Sequence, residues 1–281
     1  MSTLYLVATP IGNLEDISAR ALRILREVRL IAAEDTRQTG KLLQRYDIHT
    51  RSLAYHEHNK LVRLEQVLEE LQQGDVALVS DAGTPALNDP GFELVRAVLA
   101  AGHKVSPIPG ACAPIAALVA SGLPTDSFVY LGYLPRKSIE RQRLLTQISS
   151  LPYTLIFLEA PHRLLASLQA LQAGLGDRQI AVARELTKLF EEIFRGSLGE
   201  ACERFNQNAP RGEFTLVLAG NNSQTGRWTE EHLNAELQVQ RIKGVPTSQL
   251  AAMFARPSGW SRREIYQYLL KTQGKKAPRK P

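Results

Sequence analysis

Short apolar runs that stop abruptly at turn-forming residues are the feature that most constrains how this chain folds. Four such runs in the first half have the length of a buried strand, and they are residues 4–8, 30–33, 76–79 and 104–108. Segments with helical spacing lie between them. Strands that alternate with helices form βα units, in which the strands pair in parallel. The pattern therefore predicts an α/β fold with a mainly parallel sheet.

Three of these strand ends are followed by loops of small residues, Gly and Pro, namely residues 9–13, 80–85 and 109–113. Small residues let a ligand approach the backbone closely, and open α/β sheets bind ligands beyond the carboxyl ends of their strands. We therefore expect the three loops to converge on one crevice. Residues 76–91, VALVSDAGTPALNDPG, would form one wall of it, although a plain strand-to-helix turn is the alternative for that stretch alone.

One predicted helix carries a regular row of leucines. Leu61, Leu64, Leu68 and Leu71 recur at helical intervals, which places them on one helix face. We expect this row to face the core.

Turn-forming residues also divide the chain into domains. A Gly-Leu-Pro sequence at 122–124 indicates one boundary, and a polar segment with Gly and Ser begins at residue 221. We predict an N-terminal α/β domain at residues 1–121, a second α/β domain at residues 122–220, and a linker with a basic helical domain at residues 221–281.

The basic charge of the chain is concentrated at its C-terminal end. Residues 221–281 hold 11 Lys or Arg against 4 Glu and no Asp, whereas residues 1–220 hold 23 basic against 24 acidic residues. This asymmetry indicates a polyanionic partner, nucleic acid in particular. The helical patterns at residues 248–255 and 261–271 resemble a helix-turn-helix, and Ser261 with Glu264 fits a capping box.

Six basic residues in two groups are candidates for contact with nucleic-acid phosphates, and they are Arg136, Lys137, Arg262, Arg263, Lys275 and Lys276. The alternatives are a solvated helix face for the first two and a small helical cap with a solvated tail for the others.

Cysteine content and hydropathy argue against several classes of protein. Cys112 and Cys202 are too few for a disulfide framework or a zinc site of the usual spacing. No apolar run has the length of a membrane helix, and residues 1–8 lack the features of a signal peptide. We expect a cytoplasmic protein with no structural metal and no membrane partner.

Eight short motifs occur in order between residues 8 and 218, and they are ATPIGNLEDI at 8–17, AAEDTR at 32–37, LVSDAGTP at 78–85, DPG at 89–91, IPGACA at 108–113, EAPHR at 159–163, RELTK at 184–188 and GEFTLVL at 212–218. Together they closely resemble the tetrapyrrole methylase superfamily over about residues 4–220. Within it they are most similar to the branch that acts on ribosomal RNA.

The resemblance implies two α/β domains with S-adenosylmethionine in the cleft between them, no metal, and a homodimer. It also implies methyl transfer to the ribose 2′-hydroxyl of a cytidine in the decoding region of 16S ribosomal RNA, with that RNA or the small ribosomal subunit as partner. By position, the cofactor contacts would fall at Ile11, Ser80, Asp81, Ala82, Gly83, Thr84, Leu87, Ala111, Cys112, Ala113, Glu159, Leu186, Glu213 and Phe214.

A ribose hydroxyl is a poor nucleophile and benefits from a general base. The candidate bases are Glu34, Asp35, Asp81, Glu159, His162 and Glu185. We favour Glu34 with Asp35 as the catalytic pair, with Arg37 to orient the carboxylates or hold a phosphate. For Asp81 we expect cofactor positioning or bracing of its loop.

Two other functions are compatible with parts of the sequence. A methyltransferase of porphyrinoids or other small molecules would keep its activity without residues 225–281, although the loop at residues 9–13 lacks the additional Gly and the Asp usual in that branch. A non-catalytic RNA-binding or ribosome-assembly factor would not bind S-adenosylmethionine.

Overall fold

The computed structural model describes residues 1–207, 210–221, 228–242 and 245–273. The chain forms two compact units, one of residues 1–148 and 153–219, the other of residues 149–152 and the chain from residue 220 onward. The first unit contains two β-sheets, and the second contains helices. The predicted α/β fold with a C-terminal helical part is confirmed. Because both sheets belong to one compact unit, the predicted domain boundary after residue 121 stays a prediction.

The first sheet is built from alternating strands and helices. In chain order these are β1 Thr3–Val7, α1 Ala19–Glu27, β2 Leu30–Ala33, α2 Thr36–Arg45, β3 Ser52–Ala54, α3 Lys60–Gln73, β4 Val76–Val79, α4 Phe92–Ala100, β5 Lys104–Ile108 and α5 Ala113–Ser121. The strand order is β3-β2-β4-β1-β5, and all four pairings are parallel. The parallel sheet predicted for this half is therefore confirmed.

Both faces of this sheet are covered by apolar side chains. Leu4 and Leu30 belong to one buried cluster, and Val7 and Ile31 belong to another. Neighbouring residues of a strand point to opposite faces, so the continuous apolar runs reflect burial on both sides.

The leucine row of α3 is only partly buried. Val67 and Leu71 are fully buried, whereas Leu61 is 73% exposed. The prediction that the whole row faces the core is wrong for Leu61, which lies in the first turn of the helix. Helical spacing fixes which residues share a face, but it does not fix how far along the helix the neighbouring sheet extends.

The second sheet follows in the same unit. Its elements in chain order are β6 Phe128–Tyr133, α6 Ser138–Ile148, β7 Thr154–Glu159, α7 Leu164–Leu175, β8 Gln179–Arg184, β9 Glu192–Ser197, α8 Leu198–Gln207 and β10 Phe214–Leu218. The strand order is β6-β7-β10-β8-β9, in which only β6 and β7 pair in parallel. The second sheet is therefore mixed, unlike the parallel first sheet. Residues 185–191, which join β8 to β9, are too few for the crossover that a parallel pair needs.

The antiparallel course of β10 decides which residues share one edge of the second sheet. Phe214, the first residue of β10, lies opposite Glu159 at the end of β7 and Arg184 at the end of β8. The start of one strand is thereby placed beside the ends of two others.

The C-terminal unit contains the helices α9 Glu230–Ile242, α10 Thr247–Ser258 and α11 Arg262–Gln273. They enclose their own apolar cluster, which includes Leu237, Leu250 and Trp260. Ser261 and Glu264 exchange the two hydrogen bonds of a capping box, at 2.7 and 3.2 Å, as predicted. Across the helices that the structure describes, none combines the length and hydropathy needed to cross a membrane.

Candidate active site

The loops after β1, β4 and β5 meet at the carboxyl edge of the first sheet. Thr9 and Gly83 exchange backbone hydrogen bonds of 2.9 and 3.0 Å, and the hydroxyl of Thr84 donates to the carbonyl of Ala111 at 3.2 Å. Gly83 has a φ of 81°, and a Cβ added there would lie 3.3 Å from Cγ2 of Ile11. The predicted convergence is confirmed, and Gly83 holds a backbone conformation that other residues adopt only with strain.

Residues of the second sheet form the opposite wall, and two hydrogen bonds connect the walls. The N–H of Asn13 donates to Oγ1 of Thr187 at 3.0 Å. The hydroxyl of Tyr130 donates to Oδ1 of Asn88 at 2.7 Å. The loops of the first sheet are thus tied to the second sheet at two points.

Backbone strain is concentrated in these loops. Of the five non-glycine residues with positive φ in the described chain, four flank the crevice, and they are Ala86, Asn88, Glu185 and Thr187. Such a conformation costs of order 1–3 kcal/mol per residue and persists where the surroundings determine it, often at functional sites.

A cavity of about 310 Å³ lies between the two walls. Eleven of the predicted cofactor residues line it, and they are Ile11, Ala82, Gly83, Thr84, Leu87, Cys112, Ala113, Glu159, Leu186, Glu213 and Phe214. Ala111 is not part of the lining, and its carbonyl instead accepts the hydrogen bond of Thr84. Ser80 and Asp81 line a neighbouring cavity.

Sequence reasoning missed several residues of this cavity, among them Asn88, Asp89, Tyr130 and Tyr133. The Asp-Pro-Gly turn at residues 89–91 was a usable signal for Asp89, since a carboxylate follows the strand-end loop there. No sequence signal distinguishes the two tyrosines from core residues of β6.

The neighbouring cavity has a volume of about 430 Å³ and shares Ile11, Ala82 and Glu213 with the first. Its other lining residues include Gln38 and Lys41 of α2. The two cavities are therefore contiguous, and the second adds amide and ammonium groups to the mostly apolar lining of the first.

The loops after β2 and β4 are joined by crossed hydrogen bonds. The N–H of Asp81 donates to Oε2 of Glu34 at 3.2 Å, and the N–H of Asp35 donates to Oδ1 of Asp81 at 3.0 Å. Asp81 therefore braces its loop, as expected from the sequence.

The two members of the predicted catalytic pair have different environments. Hydrogen bonds from Arg37 lower the pKa of Asp35 to about 2, and Oδ1 of Asp35 also caps α2 by accepting the N–H of Arg37 at 2.8 Å. Burial raises the pKa of Glu34. Asp35 is therefore a poor proton acceptor at neutral pH, whereas Glu34 is the better one of the pair.

Burial raises the pKa of two further carboxyl groups at this edge. For Asp81 the pKa rises despite the hydrogen bond from Asp35. For Asp89 burial, followed by the charge of Glu34, raises the pKa to about 6. A carboxylate with a pKa close to neutral is suited to acid–base work.

Glu159 and Arg163 form a buried ion pair at the end of β7. The carboxylate of Glu159 accepts hydrogen bonds from the hydroxyl of Ser167 and from the N–H of Ala160, and Nε of Arg163 lies 3.5 Å from it. His162, in the same short segment, is exposed. All three donors to Glu159 come from its own strand end or the following helix.

Lys188 links the two other acidic residues of the second wall. Its ammonium group lies 3.0 Å from the carboxylates of both Glu185 and Glu213. Glu185 is consequently neutralised by Lys188 and is hydrogen-bonded to the N–H of Glu213 at 3.0 Å.

The predicted RNA-binding residues are exposed where the structure describes them. Arg136 and Lys137 lie between β6 and α6, and Arg262 and Arg263 open α11. Lys137 is paired with Glu140 at 3.1 Å in a solvent-exposed contact, which is weak. Lys275 and Lys276 lie outside the described residues.

Among the described side chains, no group of three His, Cys, Asp or Glu has an arrangement that would hold a metal ion. The expectation of a metal-free protein stays a prediction.

The parallel sheet, the mixed sheet and the cavity between them define a two-sheet α/β fold of the kind found in solved methyltransferases. The crystal structure of uroporphyrin-III C-methyl transferase from Thermus thermophilus, complexed with S-adenyl homocysteine, has this fold, with a TM-score of 0.55 and 20% sequence identity. The match covers 78% of this chain and 97% of that chain.

Sequence comparison is more specific. The family model Tetrapyrrole (Corrin/Porphyrin) Methylases matches residues 3–202, and the chain belongs to this family. A Synechocystis protein named Ribosomal RNA small subunit methyltransferase I is 50% identical over 97% of this chain and 99% of its own length. A protein of the same name from Escherichia coli O157:H7 is 46% identical over 96% of both chains.

The family is one of S-adenosylmethionine-dependent methyltransferases, so the cofactor prediction is confirmed. The cavity fits such a molecule. Its apolar side chains, such as Leu87 and Phe214, and its small residues, such as Ala82, leave room for flat and aliphatic parts. The carboxylates of the cavity complement the positive charge of the sulfonium group of S-adenosylmethionine.

Proposed function

We propose that this protein methylates small-subunit ribosomal RNA, at the ribose 2′-hydroxyl of a cytidine in the decoding region. The observation that carries the proposal is the similarity to proteins named Ribosomal RNA small subunit methyltransferase I over nearly the full length of both chains. That similarity includes the C-terminal helices. Porphyrinoid-modifying proteins share the fold at about 20% identity, which gives no support for a porphyrinoid substrate.

The cofactor would be held in the cavity between the two sheets. Backbone groups of residues 82–84, the apolar side chains of Ile11, Leu87 and Leu186, and the start of β10 would surround it. S-adenosylmethionine supplies an activated methyl group. The residues of the chain would position it and keep water away, which is the main requirement of such a transfer.

The two cysteines of the chain provide a direct test of this placement. Cys112 lines the cavity, whereas Cys202 lies on α8, where burial raises the pKa of its thiol. We expect saturating S-adenosylhomocysteine to protect Cys112 from maleimide and to leave the labelling of Cys202 unchanged. Unprotected Cys112 in the presence of bound ligand would refute the placement.

The acceptor nucleotide would enter the second cavity. It shares a wall with the first, and an acceptor must come within about 3–3.5 Å of the methyl group. Gln38 and Lys41 offer hydrogen-bond donors there. Asp35 with Arg37 would orient the incoming strand, and Glu34 would keep the proton-accepting side of the site negatively charged.

The exposed basic residues would hold the RNA backbone. Arg136 and Lys137 follow β6, whose last residue, Tyr133, lines the cofactor cavity. Arg262 and Arg263 lie in the first turn of α11, where the helix dipole also favours phosphate. Lys275 and Lys276 would add positive charge to the same C-terminal part of the chain.

We also propose a homodimer in the cytoplasm. Large apolar side chains are exposed on the first unit, including Val119 of α5 and Phe190 of the loop between β8 and β9, and a second copy of the chain would cover such surface. Light scattering of the purified protein tests the dimer, and a monomer at micromolar concentration would contradict it.

Mass-spectrometric nucleoside analysis of ribosomal RNA from cells with and without this protein tests the proposed activity. We expect a 2′-O-methylcytidine that disappears with the protein and returns with it. An unchanged nucleoside profile would refute the RNA substrate, and retention of methylation by a chain cut before residue 225 would favour a small-molecule substrate instead.

A further inference from the structure

Three carboxylate side chains line the cofactor cavity within the part of the chain that the structure describes, and they are Asp89, Glu159 and Glu213. Two of them are neutralised by cations. Glu159 is paired with Arg163 and hydrogen-bonded to Ser167, and Glu213 is paired with Lys188. The charge of each of these two carboxylates is thus already matched by a neighbouring cation.

Asp89 has a different set of neighbours. None of the described Lys, Arg or His side chains forms an ion pair with it. The groups that interact with it electrostatically are the hydroxyl of Ser80, the carboxylates of Glu34 and Asp81, and the phenols of Tyr130 and Tyr133, the last two of which line the same cavity. Asp89 thus interacts with hydroxyl groups and like charges, and with none of the described cations in an ion pair.

The backbone holds Asp89 in this position. Asn88, with a φ of 66°, is bound to the hydroxyl of Tyr130 on the opposite wall. Gly91 has a φ of 148°, and a Cβ added there would lie 2.8 Å from Cδ2 of Leu78. The turn that carries Asp89 is therefore fixed on both sides, which is a requirement for a precisely oriented catalytic group.

We propose that Asp89 is the general base of the methyl transfer, in place of the pair Glu34 and Asp35. The inference rests on the proposed function. In the step, a lone pair of the 2′-oxygen forms the bond to the methyl carbon, the carbon–sulfur bond breaks with its electron pair left on sulfur, and the hydroxyl proton passes to the carboxylate of Asp89. The carboxylic acid then loses the proton to solvent.

Glu34 is a positioning residue in this scheme. It lines neither cavity, and its carboxylate accepts the N–H of Asp81. Its negative charge contributes to the raised pKa of Asp89. Glu34 would therefore tune Asp89 without touching the acceptor.

The proposal predicts how activity and stability depend on pH. The pKa of Asp89 is raised to about 6 in the folded protein, and that of an unfolded Asp is about 3.9. The folded state therefore binds the extra proton between these values, and its stability falls as the pH rises through this window. Above about pH 6, Asp89 is ionised and unpaired, and its charge destabilises the folded protein. Such a loss of stability is expected of a group that is retained for catalysis.

Asp89→Asn tests the proposal with three measurements. We expect kcat on ribosomal RNA to fall by about 100-fold or more, the Kd for S-adenosylhomocysteine to stay unchanged, and the melting temperature to rise at about pH 8 but not at about pH 4.5. Wild-type kcat should fall below about pH 6, and Asp89→Glu should restore part of the lost activity.

Glu27→Gln, which removes an exposed carboxylate of α1, is the matched control and should leave the activity unchanged. An unchanged kcat of Asp89→Asn, or a lost affinity for S-adenosylhomocysteine with kcat retained, would overturn the role of Asp89. A lower melting temperature at both pH values would show that Asp89 is structural. If the wild-type protein leaves ribosomal RNA unmethylated, the proposed function is refuted. The assignment of Asp89 as the general base is then refuted as well, because it rests on that function.

Discussion

The buried ion pair at the end of β7 gives a quantitative prediction. The side chain of Glu159 is 0% exposed and that of Arg163 is 18% exposed. Arg163 also donates to the carbonyl of Leu134 at 2.6 Å. Replacement of Arg163 by Met keeps the aliphatic stem but leaves the Glu159 carboxylate buried without its cation.

The expected cost follows from the geometry of the pair. Removal of one partner of a buried ion pair costs about 3–5 kcal/mol. The separation of 3.5 Å is long, and Ser167 and Ala160 still donate to Glu159 in the variant. We therefore expect the lower end, about 3 kcal/mol, which is about 6–12 °C in melting temperature for a unit of roughly 150–250 residues.

The assay uses the location of the tryptophans. Trp228 and Trp260, the two in the chain, both lie in the C-terminal unit. Far-UV circular dichroism follows the helices and strands of both units. Tryptophan fluorescence follows the C-terminal unit alone, so a transition seen only by circular dichroism belongs to the first unit. We expect Arg163→Met to lower the melting temperature of the transition seen by circular dichroism.

The control is Arg23→Met, since Arg23 and Glu27 form a pair in which both side chains are more than half exposed. Such pairs contribute about 0.2–1 kcal/mol. Equal effects of the two substitutions would refute the argument that burial makes the Glu159 pair costly to break.

Four further outcomes are expected. Gly83→Ala should weaken S-adenosylhomocysteine binding in calorimetry, because φ at this position is 81° and the added Cβ approaches Ile11; normal affinity would contradict the tight loop geometry. Ser261→Ala should destabilise the C-terminal unit by about 1 kcal/mol through loss of the cap, measured by tryptophan fluorescence. The pKa of Asp35 is lowered to about 2, so its carboxylate stabilises the fold above the pKa of an unfolded Asp. This contribution should disappear as the pH falls toward 2. Asp35→Asn should remove the part of the pH dependence of stability that Asp35 contributes. A chain ending at residue 221 should bind RNA weakly with a shallower dependence on salt while keeping cofactor affinity; an unchanged salt slope would count against the C-terminal arm.

The sequence predicted the first sheet and its loops well because each strand carries its own signal. Residues 30–33 and 76–79 are continuous apolar runs, and the structure places β2 and β4 at those bounds. The small residues at 80–85 predicted close backbone approach, and Gly83 makes it with Ile11. These features are local in the chain, so spacing and residue type were enough.

The course of β10 and the role of Asp89 were not predictable in the same way. The apolar run at residues 214–218 has no feature that specifies an antiparallel position between β7 and β8. The motif at residues 89–91 marks a turn, but the lack of an ion pair to Asp89 among the described side chains depends on distant segments of the chain. Such properties arise only when the two walls are brought together.

The central position of β10 also affects synthesis of the protein. Both of its neighbours, β7 and β8, are made earlier, and each leaves one edge of backbone N–H and C=O groups without a strand until residues 214–218 have left the ribosome. Exposed strand edges of this kind promote aggregation. A nascent chain that pauses between residues 184 and 214 would therefore be vulnerable, and the cavity wall formed by Glu213 and Phe214 would be missing until the last strand was in place.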